Sequence, residues 1–130
     1  MTTVLLDTHV AHWWAAEPER LSRAATKLIV SADILAVAAI SRFELALLAE
    51  HGRIVITIPV RTWLDRMAAH LRTVPIGTAV AAAAVALPAS FPGDPADRLI
   101  YATAVENGWQ LVTKDRRLRE HPSPRAVTVW

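Results

Sequence analysis

Short, continuously apolar runs alternate along this chain with longer segments whose apolar residues recur at helical spacing. Val4-Leu5-Leu6 ends in Asp7 and reads as a buried strand. Thr8 to Ala16 carries helix formers and is closed by Glu17-Pro18. Ser22 to Ser31 predicts a second helix, with Ala24, Leu28 and Ile29 near one face. Ile34 to Ile40 is again short and apolar, a second buried strand. Ser41 then opens a strong helix bearing Phe43, Leu45, Leu47 and Leu48, with Gly52 where a C-terminal cap belongs. Pro59 precedes a helix over Val60 to Leu71, striped by Trp63, Leu64, Met67 and Leu71. Thr73 to Ile76 offers a third strand, and an alanine-rich helix spans Thr78 to Leu87. Three prolines and a glycine make Pro88 to Pro95 a loop. Pro95 suits the first position of the next helix, and Gly108 closes it. Gln110 to Thr113 and Ala126 to Val129 complete the strands.

Strands that are apolar on both faces, each followed by a helix, predict an α/β fold with a parallel sheet covered on both sides. At 130 residues the chain is expected to form one domain, residues 1–130, with no internal repeat or linker. The absence of cysteine excludes disulfides and thiolate metal sites, and fits a reducing, cytoplasmic setting. The start of the chain lacks the long apolar stretch of a signal peptide. The longest apolar run, Ala79 to Ala89, falls well short of the roughly 20 residues a membrane span needs, so a soluble protein without membrane contact is expected. The net charge of +2 says little about nucleic acid. Its distribution says more, because Lys114, Arg116, Arg117, Arg119 and Arg125 crowd one stretch.

Four acids stand where a parallel sheet would bring them together. Asp7 ends the first strand, Glu44 lies early in the helix after the second, Asp97 sits in a first helical turn, and Asp115 follows Leu111-Val112-Thr113. Strand C-termini and helix N-termini share one edge of such a sheet, and ligands bind there. Carboxylates within about 5 Å repel by roughly 3 kcal/mol per pair at an effective dielectric near 20, so the cluster must be protonated or hold a cation. Oxygen ligands alone point to Mg²⁺ or Mn²⁺, and so to phosphodiester chemistry.

Each acid also has an ordinary structural reading. Asp7 and Asp94 would cap helices, Ser41-Arg42-Phe43-Glu44 matches a capping box, Asp97 complements a helix dipole, and Asp115 suits a turn. His9 and His12, three apart, would share a helical face, but beside Trp13 and Trp14 they read as packing or surface residues. His51, His70 and His121 lack ligand spacing.

Val4 to His9 followed by Trp13-Trp14 resembles the opening of VapC-type PIN-domain toxins. Asp94-Pro95-Ala96-Asp97-Arg98-Leu99-Ile100, with Ala102 and Ala104 behind it, is similar to that family's most distinctive motif. Leu111 to Asp115 and Ala39 to Leu45 resemble two further blocks, Arg42 and Phe43 matching more loosely. The resemblance runs from Val4 to Asp115 and implies a three-layer α/β/α sandwich with a mostly parallel sheet. It implies a Mg²⁺- or Mn²⁺-dependent endoribonuclease, with metal-activated water attacking an RNA phosphodiester in line. Asp7 and Asp97 would be the principal metal ligands, Glu44 would complete the acidic pocket, Asp115 would be the fourth acid, and Thr113 would bond within the pocket. Asp94 is read as a cap outside the site. Arg116, Arg117 and Arg119 are candidate RNA-backbone contacts. A homodimer and a cognate antitoxin covering the pocket are also implied. Two alternatives are a non-catalytic RNA- or partner-binding module and a metal-dependent phosphatase. The second lacks the usual acid two residues after the first, where His9 stands.

Overall fold

The structure, a computed structural model, describes residues 1–121 and 127–130. Five strands form one sheet: β1 (Thr3–Leu6), β2 (Ile34–Ala38), β3 (Arg72–Val74), β4 (Gln110–Val112) and β5 (Thr128–Val129). Their order is β3-β2-β1-β4-β5, and all four pairings are parallel. The helices are α1 (Thr8–Ala16), α2 (Arg23–Ser31), α3 (Ala39–Glu50), α4 (Val60–Ala68), α5 (Thr78–Ala86), α6 (Pro95–Asn107) and α7 (Arg116–Arg119).

The central strand shows why both faces are covered. Successive side chains of a strand point to opposite faces. Val4 and Leu6 accordingly join one core with Val10, Trp13, Ile29 and Met67, drawn from α1, α2 and α4. Leu5 joins the other with Ile100, Tyr101, Leu111 and Leu118. Leu5, Leu6, Ile100 and Leu111 are wholly buried, each burial stabilising by about 1.5–3 kcal/mol. The result is the three-layer α/β/α sandwich with an all-parallel sheet. The edge strands β3 and β5 span only three and two residues, which limits unwanted pairing at the rims.

Local chemistry sets several of the helix ends. Ser22 caps α2, its hydroxyl accepting from the Ala25 amide at 3.0 Å. In α6, Asp94 is the cap, Pro95 takes the first position, and Gly108 ends the helix at φ +67°, where a side chain would be strained. The third helix departs from expectation. β2 stops at Ala38 and α3 begins at Ala39, so Ser41 lies inside the helix. Ala38 occupies the cap position and no side chain caps it. The expected capping box at Ser41 is therefore absent, because its hydroxyl is buried and bonded elsewhere. The predicted helix to Leu71 stops at Ala68, since Leu71 turns inward and Arg72 begins β3. Ser123, Arg125 and Ala126, the predicted start of the last strand, lie outside the described residues.

Candidate active site

β1 delivers Asp7 to the sheet edge, and its amide bonds the carbonyl of Val112 on neighbouring β4 at 3.0 Å. Both carboxylate oxygens of Asp7 are engaged. Oδ1 accepts from the Thr8 amide at 2.8 Å, and Oδ2 accepts from the Thr113 hydroxyl at 2.6 Å. On α3, one turn in, Glu44 Oε1 lies 2.5 Å from Thr8 Oγ1, which also meets Ser41 Oγ at 3.0 Å. Asp97 occupies the third position of α6. Its backbone amide and that of Ala96 are held by Asp94 Oδ1 at 3.3 and 2.8 Å. Asp115 caps α7 and is itself braced by Thr113 Oγ1 on its amide.

A pocket of about 650 Å³ opens between these elements. Asp7, Glu44, Asp97 and Asp115 all line it, as does Asp94. The four acids chosen by position in the sequence thus share one cavity, and the residue read only as a cap also faces it. Arg116 and Arg117 line the pocket, whereas Arg119 lies around the corner, in a neighbouring groove with Thr128 and Trp130.

Crowding shows in the acid strengths. Burial, then the charges of Asp94 and Asp7, push the Asp97 carboxyl up to about 7, against which the Arg117 guanidinium pulls. Burial also raises Asp7, opposed chiefly by the Thr113 hydrogen bond. Glu44 rises for the same first reason, opposed by Thr8. Asp115 goes the other way, since hydrogen bonds from Arg117 favour its charged form. That guanidinium reaches Asp97 at 3.0 Å and Asp115 at 2.8 Å. Arg117 is therefore the acids' internal counter-ion.

Sequence reading alone passed over Thr8, Ser41 and Arg98. Thr8, Ser41 and Thr113 are three of four buried polar side chains among the described residues, and all three serve the acids. Arg98 follows Asp97 and turns away from the pocket. Its guanidinium donates to the carbonyls of Ala84, Leu87, Pro88, Phe91 and Pro92 at 3.0–3.4 Å. It thereby ties the end of α5 and the proline-rich loop to the first turn of α6. No sequence motif announces such contacts, although the hydroxyl-rich pairing of Thr8 with Thr113 beside acids was a usable hint. The histidines do not gather: His12 pairs with Glu17 at 3.3 Å, and His9 stacks beside Trp13.

The pocket's donors fit a hard divalent cation in kind, being oxygen-only and crowded with like charge. Among the described residues, no three Asp, Glu or His side chains form a closed cage. An open carboxylate site of this sort suits Mg²⁺, which keeps several waters and binds through one or two carboxylates.

A parallel sheet whose carboxyl edge gathers Asp7 after β1, Glu44 on α3, Asp97 on α6 and Asp115 before α7 defines an α/β protein with an acidic pocket. The chain belongs to the PIN-domain family, whose profile matches residues 4–123. It is 71% identical to Ribonuclease VapC22 of Mycobacterium tuberculosis over 130 residues, the whole of both chains. In fold it is similar to a toxin-antitoxin complex from Klebsiella pneumoniae, with a TM-score of 0.69 and 18% identity, covering 98% of this chain and 96% of that one. VapBC2 of Rickettsia felis, bound to a DNA fragment from its promoter, aligns at a TM-score of 0.66 with 15% identity and 88% of each chain covered.

Proposed function

We propose that this protein is a divalent-metal-dependent endoribonuclease and the toxin of a toxin–antitoxin pair. The observation that carries the reading is the pocket itself, where Asp7, Glu44, Asp97 and Asp115 meet with an Asp97 carboxyl at about 7. The 71% identity to a relative named as a ribonuclease supports the reaction class. Asp7 and Asp97 would hold Mg²⁺ or Mn²⁺, which supplies charge neutralisation at the phosphodiester and a more acidic water.

The protein's own groups do the rest. Thr113 fixes Asp7 Oδ2 and favours its ionised state. Glu44 Oε1 is held by Thr8, while Oε2 has no hydrogen-bond partner among the described residues and is available to take a proton from the attacking water. Asp115 orients Arg117, which restrains Asp97. Arg119 is exposed on α7 and suited to RNA phosphates, whereas Arg116 beside it is bound to Glu120. A cognate antitoxin is the expected inhibitor, supported by a structural neighbour described as a toxin–antitoxin complex. A homodimer and a cytoplasmic setting belong to the same reading. Among the described residues, no helix is long and apolar enough to cross a membrane.

The test is incubation of antitoxin-free protein with total bacterial RNA, with Mg²⁺, Mn²⁺ or chelator, beside Asp97→Asn. Discrete fragments that need metal, reduced about 100-fold or more in the variant, are expected. Binding without cleavage in every condition would replace the nuclease with a non-catalytic module.

A further inference from the structure

RNA approaching this pocket meets five carboxylates, so a side chain that receives phosphate there must be a cation that the acids have not already claimed. Three basic side chains line the cavity: Lys114, Arg116 and Arg117. Arg117 is bound to Asp97 and Asp115. Arg116 is bound to Glu120, with Nη2 at 3.1 Å and Nε at 3.2 Å. Lys114 alone of the three has no carboxylate partner among the described residues. Its side chain is exposed, and its ammonium lies 5.8 Å from the centre of the Trp13 ring.

That ring is a firm support. Trp13 is only 8% exposed and packs against Trp130 and His9, each with centroids 5.9 Å away. A lysine resting on an aromatic face at an exposed site is held only weakly. A phosphate can draw it off at little cost, and an ammonium on a flexible stem suits that task.

We propose that Lys114 is the pocket's phosphate-contacting residue, and that Arg117, its neighbour in the same basic cluster, acts instead as counter-ion to the acids. The inference rests on the ribonuclease reading and identifies the group that receives the RNA backbone at the mouth of that site. Contact of this kind reads no base, so Lys114 contributes equally for different sequences.

The experiment uses the full chain, Lys114→Ala and Lys114→Arg. Each is titrated with a short labelled single-stranded RNA in chelator, across a range of salt, and then assayed for cleavage with metal. Loss of one phosphate contact lowers the salt slope by about 0.7, so between 50 and 200 mM salt the wild type loses roughly 2.6-fold more affinity than Lys114→Ala. Lys114→Arg keeps the wild-type slope, KM rises in Lys114→Ala with kcat little changed, and both variants melt as the wild type does. A wild type that binds and cuts RNA, with Lys114→Ala matching it in affinity, slope and KM, overturns the assignment. A wild type that neither binds nor cuts overturns the ribonuclease reading itself.

Discussion

Under the proposed function Asp7 meets two opposing demands: it must be sheltered enough to shape a site and charged enough to hold a cation. Burial raises its pKa, and the Thr113 hydroxyl works against that rise. Thr113→Val removes a bond that favours the ionised form, so the pKa of Asp7 climbs further. Cation affinity at neutral pH should fall about 10–100-fold and recover as pH is raised, while Thr113→Ser stays near wild type. Mn²⁺ titrations at several pH values would show it; an unchanged profile in Thr113→Val would remove Thr113 from the site's machinery. Asp97 allows a test of stability. Its folded pKa lies above the ordinary 3.8, at about 7. Across that window the unfolded chain loses its proton first, so the cation-free protein loses stability as pH rises. Asp115, with its lowered pKa, has the opposite sign, and its contribution is lost only as pH falls below 3.8. Melting in chelator should therefore drop more between pH 4 and 7 in the wild type than in Asp97→Asn, by an amount on the order of 2 kcal/mol. Parallel pH curves for the two proteins would contradict the crowding described here.

At the scale of elements, α6 is the best specified piece of the molecule. Asp94, Pro95 and Gly108 mark its two ends in the sequence, and the structure uses all three as marked. Arg98 is what the sequence could not announce. Five carbonyl oxygens from three stretches, Ala84, Leu87-Pro88 and Phe91-Pro92, converge on one guanidinium, a tertiary arrangement with no local signature. Lysine cannot fan its donors across that spread. Arg98→Lys should cost about 2 kcal/mol in urea unfolding, with an unchanged dependence on denaturant, and should weaken Mn²⁺ binding through the displaced Asp97. A wild-type midpoint in Arg98→Lys would mean that Phe91, packed on Tyr101 at 4.9 Å, holds the loop by itself. The start of α3 was misread for a related reason. Ser41 and Glu44 carry the spacing of a capping box, yet both side chains are spent on Thr8 across the sheet edge. Local spacing and tertiary contact called for the same residue types, and only the structure separates them.

For the whole molecule, the alternation of apolar strands and helices was enough to give the layers and the sheet's direction, because parallel strands must be buried on both faces. It was enough to bring the four acids to one edge. Strand order was not legible, since the same pattern suits several orders, and the edge strands β3 and β5 are too short to show one. With the order in hand, a collective prediction follows. A cation that binds only the folded pocket raises melting temperature by linkage, equivalent to about 2.7 kcal/mol at a hundred times its Kd. Mg²⁺ or Mn²⁺ should therefore stabilise the wild type and leave Asp7→Asn and Asp97→Asn unmoved in the same melt. Equal shifts in all three proteins would place the cation elsewhere. With β1 at the centre of the sheet, the site joins segments far apart in the order of synthesis. Asp7 is made well before the hydroxyl that fixes it, which stands 106 positions later, next to the strand that pairs with β1. Domains emerge from the ribosome amino end first. Until β4 and the residues after it have been made, the nascent chain has neither the Thr113 hydroxyl that braces Asp7 nor Asp115, so three of the four acids wait on the last to complete the pocket.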